Sequence, residues 1–234
     1  MFLLSFEGIM FVLRWLHFFF GIMWIGHLYY FNFTQGSFMA EADAATKSGV
    51  VTKLVPRALW WFRWGAMWTF ATGLVYLGLK GHQAGTFAIY SSSWGVSILI
   101  GAILGITMWF NVWFIIWPNQ QIVIKSATQV ASGGAALPEA AAAGAKALLA
   151  SRTNTLFSIP MLFFMGGASH MSLPITPETK LGLLFALVGI VWAACEYNAV
   201  KGKLGPMTTV KGVIHSGFAL TLLLYVLIEI SLRV

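Results

Sequence analysis

The stretch Arg14 to Gln35, RWLHFFFGIMWIGHLYYFNFTQ, constrains this chain more than any other. It is a long apolar run with no proline, yet it carries an arginine and two histidines, His17 and His27. Roughly 20 apolar residues, rising about 1.5 Å each, cross the hydrocarbon core of a bilayer. Groups that titrate or stay charged are costly at that depth, so each needs a partner or a task. On a helix, Arg14, His17, Gly21 and Trp24 share one stripe at i, i+3, i+7 and i+10, with His27 turned somewhat aside. A donor, an imidazole, a residue without a side chain and a large indole on one face suit a flat, bulky cofactor. The first functional expectation is therefore haem, ligated by histidine inside a membrane bundle.

Composition extends the membrane reading to the whole chain. Only 9% of the 234 residues are charged and 59% are hydrophobic, whereas soluble domains are about a quarter charged. The chain reads as an all-α integral membrane protein, one transmembrane domain over 1–234 with the lipid bilayer as its first partner. The formal net charge of +7 would point to nucleic acid in a soluble protein; here the bias of basic residues towards one membrane face explains it, and no nucleic-acid partner is expected. Cys195 is the single cysteine, which leaves no disulfide, no CxxC and no CxxCH for covalent haem. The N-terminus lacks a cationic leader region and reads as part of the first span. P-loop, strand-borne GxGxxG, GxSxG and zinc-protease motifs are missing.

Six spans are expected, at about 6–33, 58–79, 94–117, 154–171, 179–200 and 210–232. Pro56 is expected to open the second, Pro118 to end the third, and Thr153-Asn154 and Thr176-Pro177-Glu178 to start the fourth and fifth. The connection 119–151 is broken at Gly133-Gly134 and continues from Pro138 and Glu139 as an Ala-rich helix outside the bilayer. Lys47, Lys53, Arg57, Lys125, Lys146, Arg152, Lys201, Lys203 and Lys211 fall on one side, against Lys80, Lys180 and Arg233 on the other. The basic side is cytoplasmic by the positive-inside rule, so both termini are expected on the non-cytoplasmic face of a bacterial inner membrane.

This orientation sorts the histidines by depth. His17 and His170 fall in the outer half, His27 and His215 in the inner half, and His17 to His27 is roughly 15 Å of helix. The sequence thus permits two bis-histidine sites, His17 with His170 and His27 with His215, holding one or two haem b groups. Small residues accompany each imidazole: Gly21 and Gly26, Gly166 and Gly167, Gly212 and Gly217. Arg14 on the outer level and Arg63 on the inner level are suited to haem propionates. The plainer alternative is that these histidines hydrogen-bond across helices and the glycines serve close packing. His82, in a short outer loop, reads as solvated. A zinc or copper site would need three or four donors at one depth, and here the donors are spread over two.

Several blocks resemble a known family. Arg14-Trp15-Leu16-His17, Tyr29-Tyr30-Phe31-Asn32-Phe33, Trp60-Trp61-Phe62-Arg63-Trp64, Asn111-Val112-Trp113, Trp117-Pro118-Asn119-Gln120, Arg152-Thr153-Asn154 and Ser169-His170 are similar, in this order, to the membrane domain of PuuD-type bacterial urate hydroxylase, a membrane-bound urate oxidase. The likeness runs through the first four helices and is looser in the last two. It implies a multi-span domain with His17 and His170 at the family's histidine positions, followed by a C-terminal cytochrome c domain. This chain reads as a short form lacking that domain, so the resemblance implies a separate cytochrome c or a partner complex as the electron exit.

Three functions follow as expectations. The first is a b-type cytochrome subunit that moves electrons within the membrane to or from a cytochrome c or respiratory partner. The second is an oxidoreductase of the urate hydroxylase type. The third is a non-catalytic subunit or assembly factor of a respiratory complex, an oligomer or supercomplex member in which the histidines are structural.

Overall fold

A computed structural model describes residues 1–233. Among them the chain is helical throughout, in six long stretches, and strands are absent. Helix α1 is Phe6–Glu41; α2 covers 44–83; α3 is Ser93–Ala131; α4 is Ala140–His170; α5 is Leu181–Lys201 and α6 is Val210–Arg233. Four of these, α1, α3, α5 and α6, are long and apolar enough to cross a membrane. The apolar stretches of α2 and α4 are diluted by Thr, Asn, Gly and basic residues. Large apolar side chains face outward, among them Phe18 at 63%, Ile22 at 76% and Leu222 at 64% exposure. Such a surface is tolerable only against lipid or protein, and the chain is a membrane protein.

Several helices overrun their expected ends. α1 continues past Phe33 to Glu41, and α2 begins at Ala44, well before Pro56. α3 runs through Pro118 to Ala131. Thr153-Asn154 does not start the fourth helix but lies inside it, so the Ala-rich segment and the fourth expected span form one continuous helix that also passes through Pro160. The breaks are set by local chemistry. Ser5 caps α1 through a bond from the Gly8 N–H (3.2 Å), and Asp43 caps α2 through the Thr46 N–H (2.9 Å) and hydroxyl (2.7 Å). Those bonds hold the Asp43 carboxyl below the usual carboxylate range. Gly133, at φ 86°, makes the turn after α3 in the left-handed region that disfavours side chains.

The overruns depend on three π-helical segments, Tyr30–Gln35, Val50–Leu54 and Asn111–Ile116. A shift from i+4 to i+5 bonding leaves a carbonyl without its backbone donor. Side chains supply donors near each segment: Asn32 Nδ2 to the Leu28 carbonyl (2.9 Å), the Thr52 hydroxyl to that of Ser48 (2.7 Å), and Asn119 Nδ2 to that of Ile115 (2.7 Å).

The chain divides into two compact units, Met1–Gly73 with Trp109–Asn154, and Leu74–Met108 with Thr155–Val234. In the first, Leu28, Phe62, Ala66 and Val112 are fully or almost fully buried. A Cβ at Gly65 would lie 3.1 Å from the Trp24 backbone N, so α1 and α2 approach as closely as glycine permits. Two buried carboxamides, Asn111 and Asn154, bond at 3.0 Å. In the second unit Val96, Ile100, Phe157, Phe164, Leu184 and Leu224 form the core. Trp192 Nε1 donates to the Thr107 hydroxyl at 2.9 Å. Ser93 Oγ accepts from the Leu173 N–H (2.7 Å), joining the start of α3 to the segment after α4.

Candidate functional site

His17 is partly buried in the first unit, on the face of α1 turned to α2. Its Nδ1 lies 2.9 Å from the Thr69 carbonyl oxygen and 3.3 Å from the Thr72 hydroxyl. A carbonyl can only accept, so Nδ1 carries the proton. The Thr72 hydroxyl spends its own proton on the Trp68 carbonyl (2.6 Å) and offers His17 an oxygen. The neutral imidazole is thereby fixed as the Nδ1–H tautomer, with the lone pair on Nε2. Gly73 provides the room: a Cβ there would lie 3.0 Å from His17 Cε1.

His27 is held similarly by its own helix, its Nδ1 donating to the Met23 carbonyl at 2.7 Å. Its Nδ1 therefore also carries a proton, because a carbonyl can only accept. His170, the last residue of α4, and His215 on α6 are exposed residues of the second unit. His82 is exposed near the end of α2. Among the described residues no group of three His, Cys, Asp or Glu gathers as a metal site.

The stripe on α1 is shared between two surroundings. Gly21 and Trp24 lie in the seam with α2: a Cβ on Gly21 would touch Thr69, and Trp24 is 3% exposed. Arg14 is exposed. Arg63, on α2, lays its guanidinium over Trp117 at 3.7 Å from the ring centroid, with Trp113 at 5.3 Å. Stacking on a ring face satisfies the cation's charge but leaves its in-plane N–H groups unused. Arg63 Nε is buried and has no acceptor.

Three residues stand outside the expected site, Thr69, Thr72 and Arg152, and the stacking of the expected Arg63 is also new. Thr69 and Thr72 orient His17, and their threonine-rich helix turn gave no signal beyond polar residues in an apolar run. The Arg63 stack depends on which faces of α2 and α3 meet, which spacing alone does not reveal. Arg152 counts in the sequence only among the basic residues that set orientation, yet it is 8% exposed, with Nε and Nη1 unpartnered.

Helices of membrane-crossing length and an apolar exterior define an integral membrane protein. The chain belongs to the urate oxidase N-terminal family, whose model matches residues 83–227, more than half of its length. The match covers α3 to α6, including the two last helices, where the likeness read from sequence was loosest. Neither a curated protein nor a solved structure matches the chain.

Proposed function

We propose that this protein is a membrane haem oxidoreductase of the urate-oxidising type, acting in a bacterial inner membrane and delivering electrons to a cytochrome c or a respiratory-complex partner. The observation that carries the haem reading is the His17 tautomer. A ligating histidine commonly donates its second N–H to a carbonyl or carboxylate, which fixes the ring and raises the basicity of the ligating nitrogen. Thr69 provides that acceptor to His17, and Met23 provides it to His27. His17, His27, His170 and His215 are the residues that would hold one or two haem b groups. Arg14 and Arg63 are proposed partners of the propionates. For Arg63 the fit lies in a buried Nε without an acceptor, on a guanidinium already held flat by Trp117.

Bound haem supplies a centre that takes up and releases single electrons. The chain's own residues do the rest. Thr69 and Thr72 hold the His17 ring in one orientation, and Trp113 and Trp117 fix the Arg63 plane. Family membership brings urate forward as the reductant. The architecture proposed with it is a six-span bundle with both termini on the non-cytoplasmic side. A b-type cytochrome subunit that only relays electrons is the second reading, because the same histidine geometry serves it.

The test is a reduced-minus-oxidised optical spectrum of the detergent-purified chain, with pyridine haemochrome quantitation. One or two b haems per chain are expected, with urate reducing them when cytochrome c is supplied. His17→Ala loses haem absorbance while the helical circular dichroism persists. A haem-free preparation refutes both readings. Haem that urate does not reduce refutes the urate reading and leaves the relay.

A further inference from the structure

Helix α2 enters its apolar stretch with two faces of opposite chemistry. Val55, Ala58, Leu59, Phe62 and Ala66 are buried, at the three- and four-residue spacing of one helix face. Lys53, Arg57, Trp60, Trp61 and Trp68 are exposed on the opposite side. Along the helix this outward face changes in a fixed order. The two cations come first, the tryptophan pair next, and Trp68 last, roughly 16 Å beyond Arg57 at 1.5 Å per residue. That is the order of polarity met on passing from the phosphates of a bilayer, through the ester level where tryptophan collects, to the acyl chains.

The cations on this face lack a counter-charge. Among the described residues no ion pair engages Lys53 or Arg57. The nearest acid in sequence, Asp43, spends both carboxylate oxygens on the Thr46 N–H and hydroxyl. Arg57 Nη1 donates to the Lys53 carbonyl, which holds the guanidinium against its own helix and leaves its remaining N–H groups for an outside acceptor. The other arginine of this stretch, Arg63, is stacked on Trp117 and takes no part. Trp60 and Trp61 meet edge to face, with ring centroids 4.7 Å apart. Such a pair offers apolar ring surface to acyl chains and indole N–H groups to ester carbonyls.

We propose that this face of α2 binds an anionic phospholipid, its headgroup phosphate on Arg57 and Lys53 and its acyl chains along Trp60, Trp61 and Trp68. A guanidinium matches the oxygens of a phosphate in geometry as well as charge. A zwitterionic headgroup presents the same phosphate but brings an ammonium beside two uncompensated cations, so a lipid of net negative charge is preferred. The site is separate from the proposed haem ligands and does not require haem to be bound.

The test is native mass spectrometry of the detergent-purified full chain with equal amounts of phosphatidylglycerol and phosphatidylcholine of matched acyl chains. Phosphatidylglycerol is expected to be bound about tenfold in preference at low salt, and less so as ionic strength rises. Lys53→Gln combined with Arg57→Gln is expected to reduce that preference to about twofold or less. Lys125→Gln combined with Lys146→Gln removes the same charge from two exposed lysines of α3 and α4 and leaves the preference unchanged. Helical circular dichroism of each variant checks folding, and Arg57→Gln alone serves should the first double variant not fold. The proposal is overturned if the two lipids bind alike, or if both double variants lose the preference equally, which would identify a general effect of net charge. Displacement of the lipid by inorganic phosphate or by polyglutamate at matched charge concentration also overturns it, identifying a site for a free anion or an acidic protein segment.

Discussion

At the scale of single residues, a side chain here is defined by what faces its polar atoms. His17 shows this most directly. Its type and depth mark it as costly and therefore employed, but its tautomer follows from the Thr69 carbonyl 52 residues away. Arg63 is a second case: an arginine among tryptophans looks interfacial in sequence, and the fold turns it into a guanidinium stacked on Trp117 with Nε unsatisfied. Gly73 is the third, since its missing side chain makes space for the imidazole. Gly73→Val is therefore expected to destabilise by about 1–3 kcal/mol through overpacking against His17. Gly78→Val, at a helical glycine where an added Cβ meets nothing within 4 Å, is the control. Thermal unfolding in detergent measures both, and equal midpoints would show that the imidazole does not need this gap.

At the scale of helices, apolar runs are easy to read and their ends are not. Ranges for α5 and α6 lie within two residues of expectation, because Lys201-Gly202 and Thr208-Thr209 interrupt uniformly apolar segments. The ends of α1 and α3 escaped because proline and polar residues were read as stops. A π turn changes that reading, as it allows the helix to continue when a side-chain amide or hydroxyl takes the carbonyl left over. The clue was present in Asn32, Thr52 and Asn119, each a hydrogen-bonding side chain at or beside the shift. Asn32→Leu should leave the Leu28 carbonyl and the Ser151 hydroxyl without their donor, a loss of about 1–3 kcal/mol. Hydrogen exchange should then accelerate across 30–36 and not across α5. Unchanged protection at those residues would mean that the side chain does not support the π turn.

At the scale of the whole molecule, hydrophobic excess and the one-sided basic loops carry the membrane reading. The proposed topology puts Gly133 and His82 on opposite faces. With Cys195 replaced by Ser, a cysteine at 133 should be labelled only from the cytoplasmic side and one at 82 only from the other; labelling of both from one side would refute six spans. By itself the sequence determined helicity, membrane residence and the family, because these depend on summed hydropathy, residue periodicity and ordered local blocks. It also singled out the histidines, since an imidazole in an apolar run is expensive wherever the run ends up. Only tertiary structure decided that α2 holds the His17 tautomer and that tryptophans of α3 flatten Arg63. Those properties depend on which helix faces meet, and a helix's own sequence fixes its apolar faces but not the partner each will find.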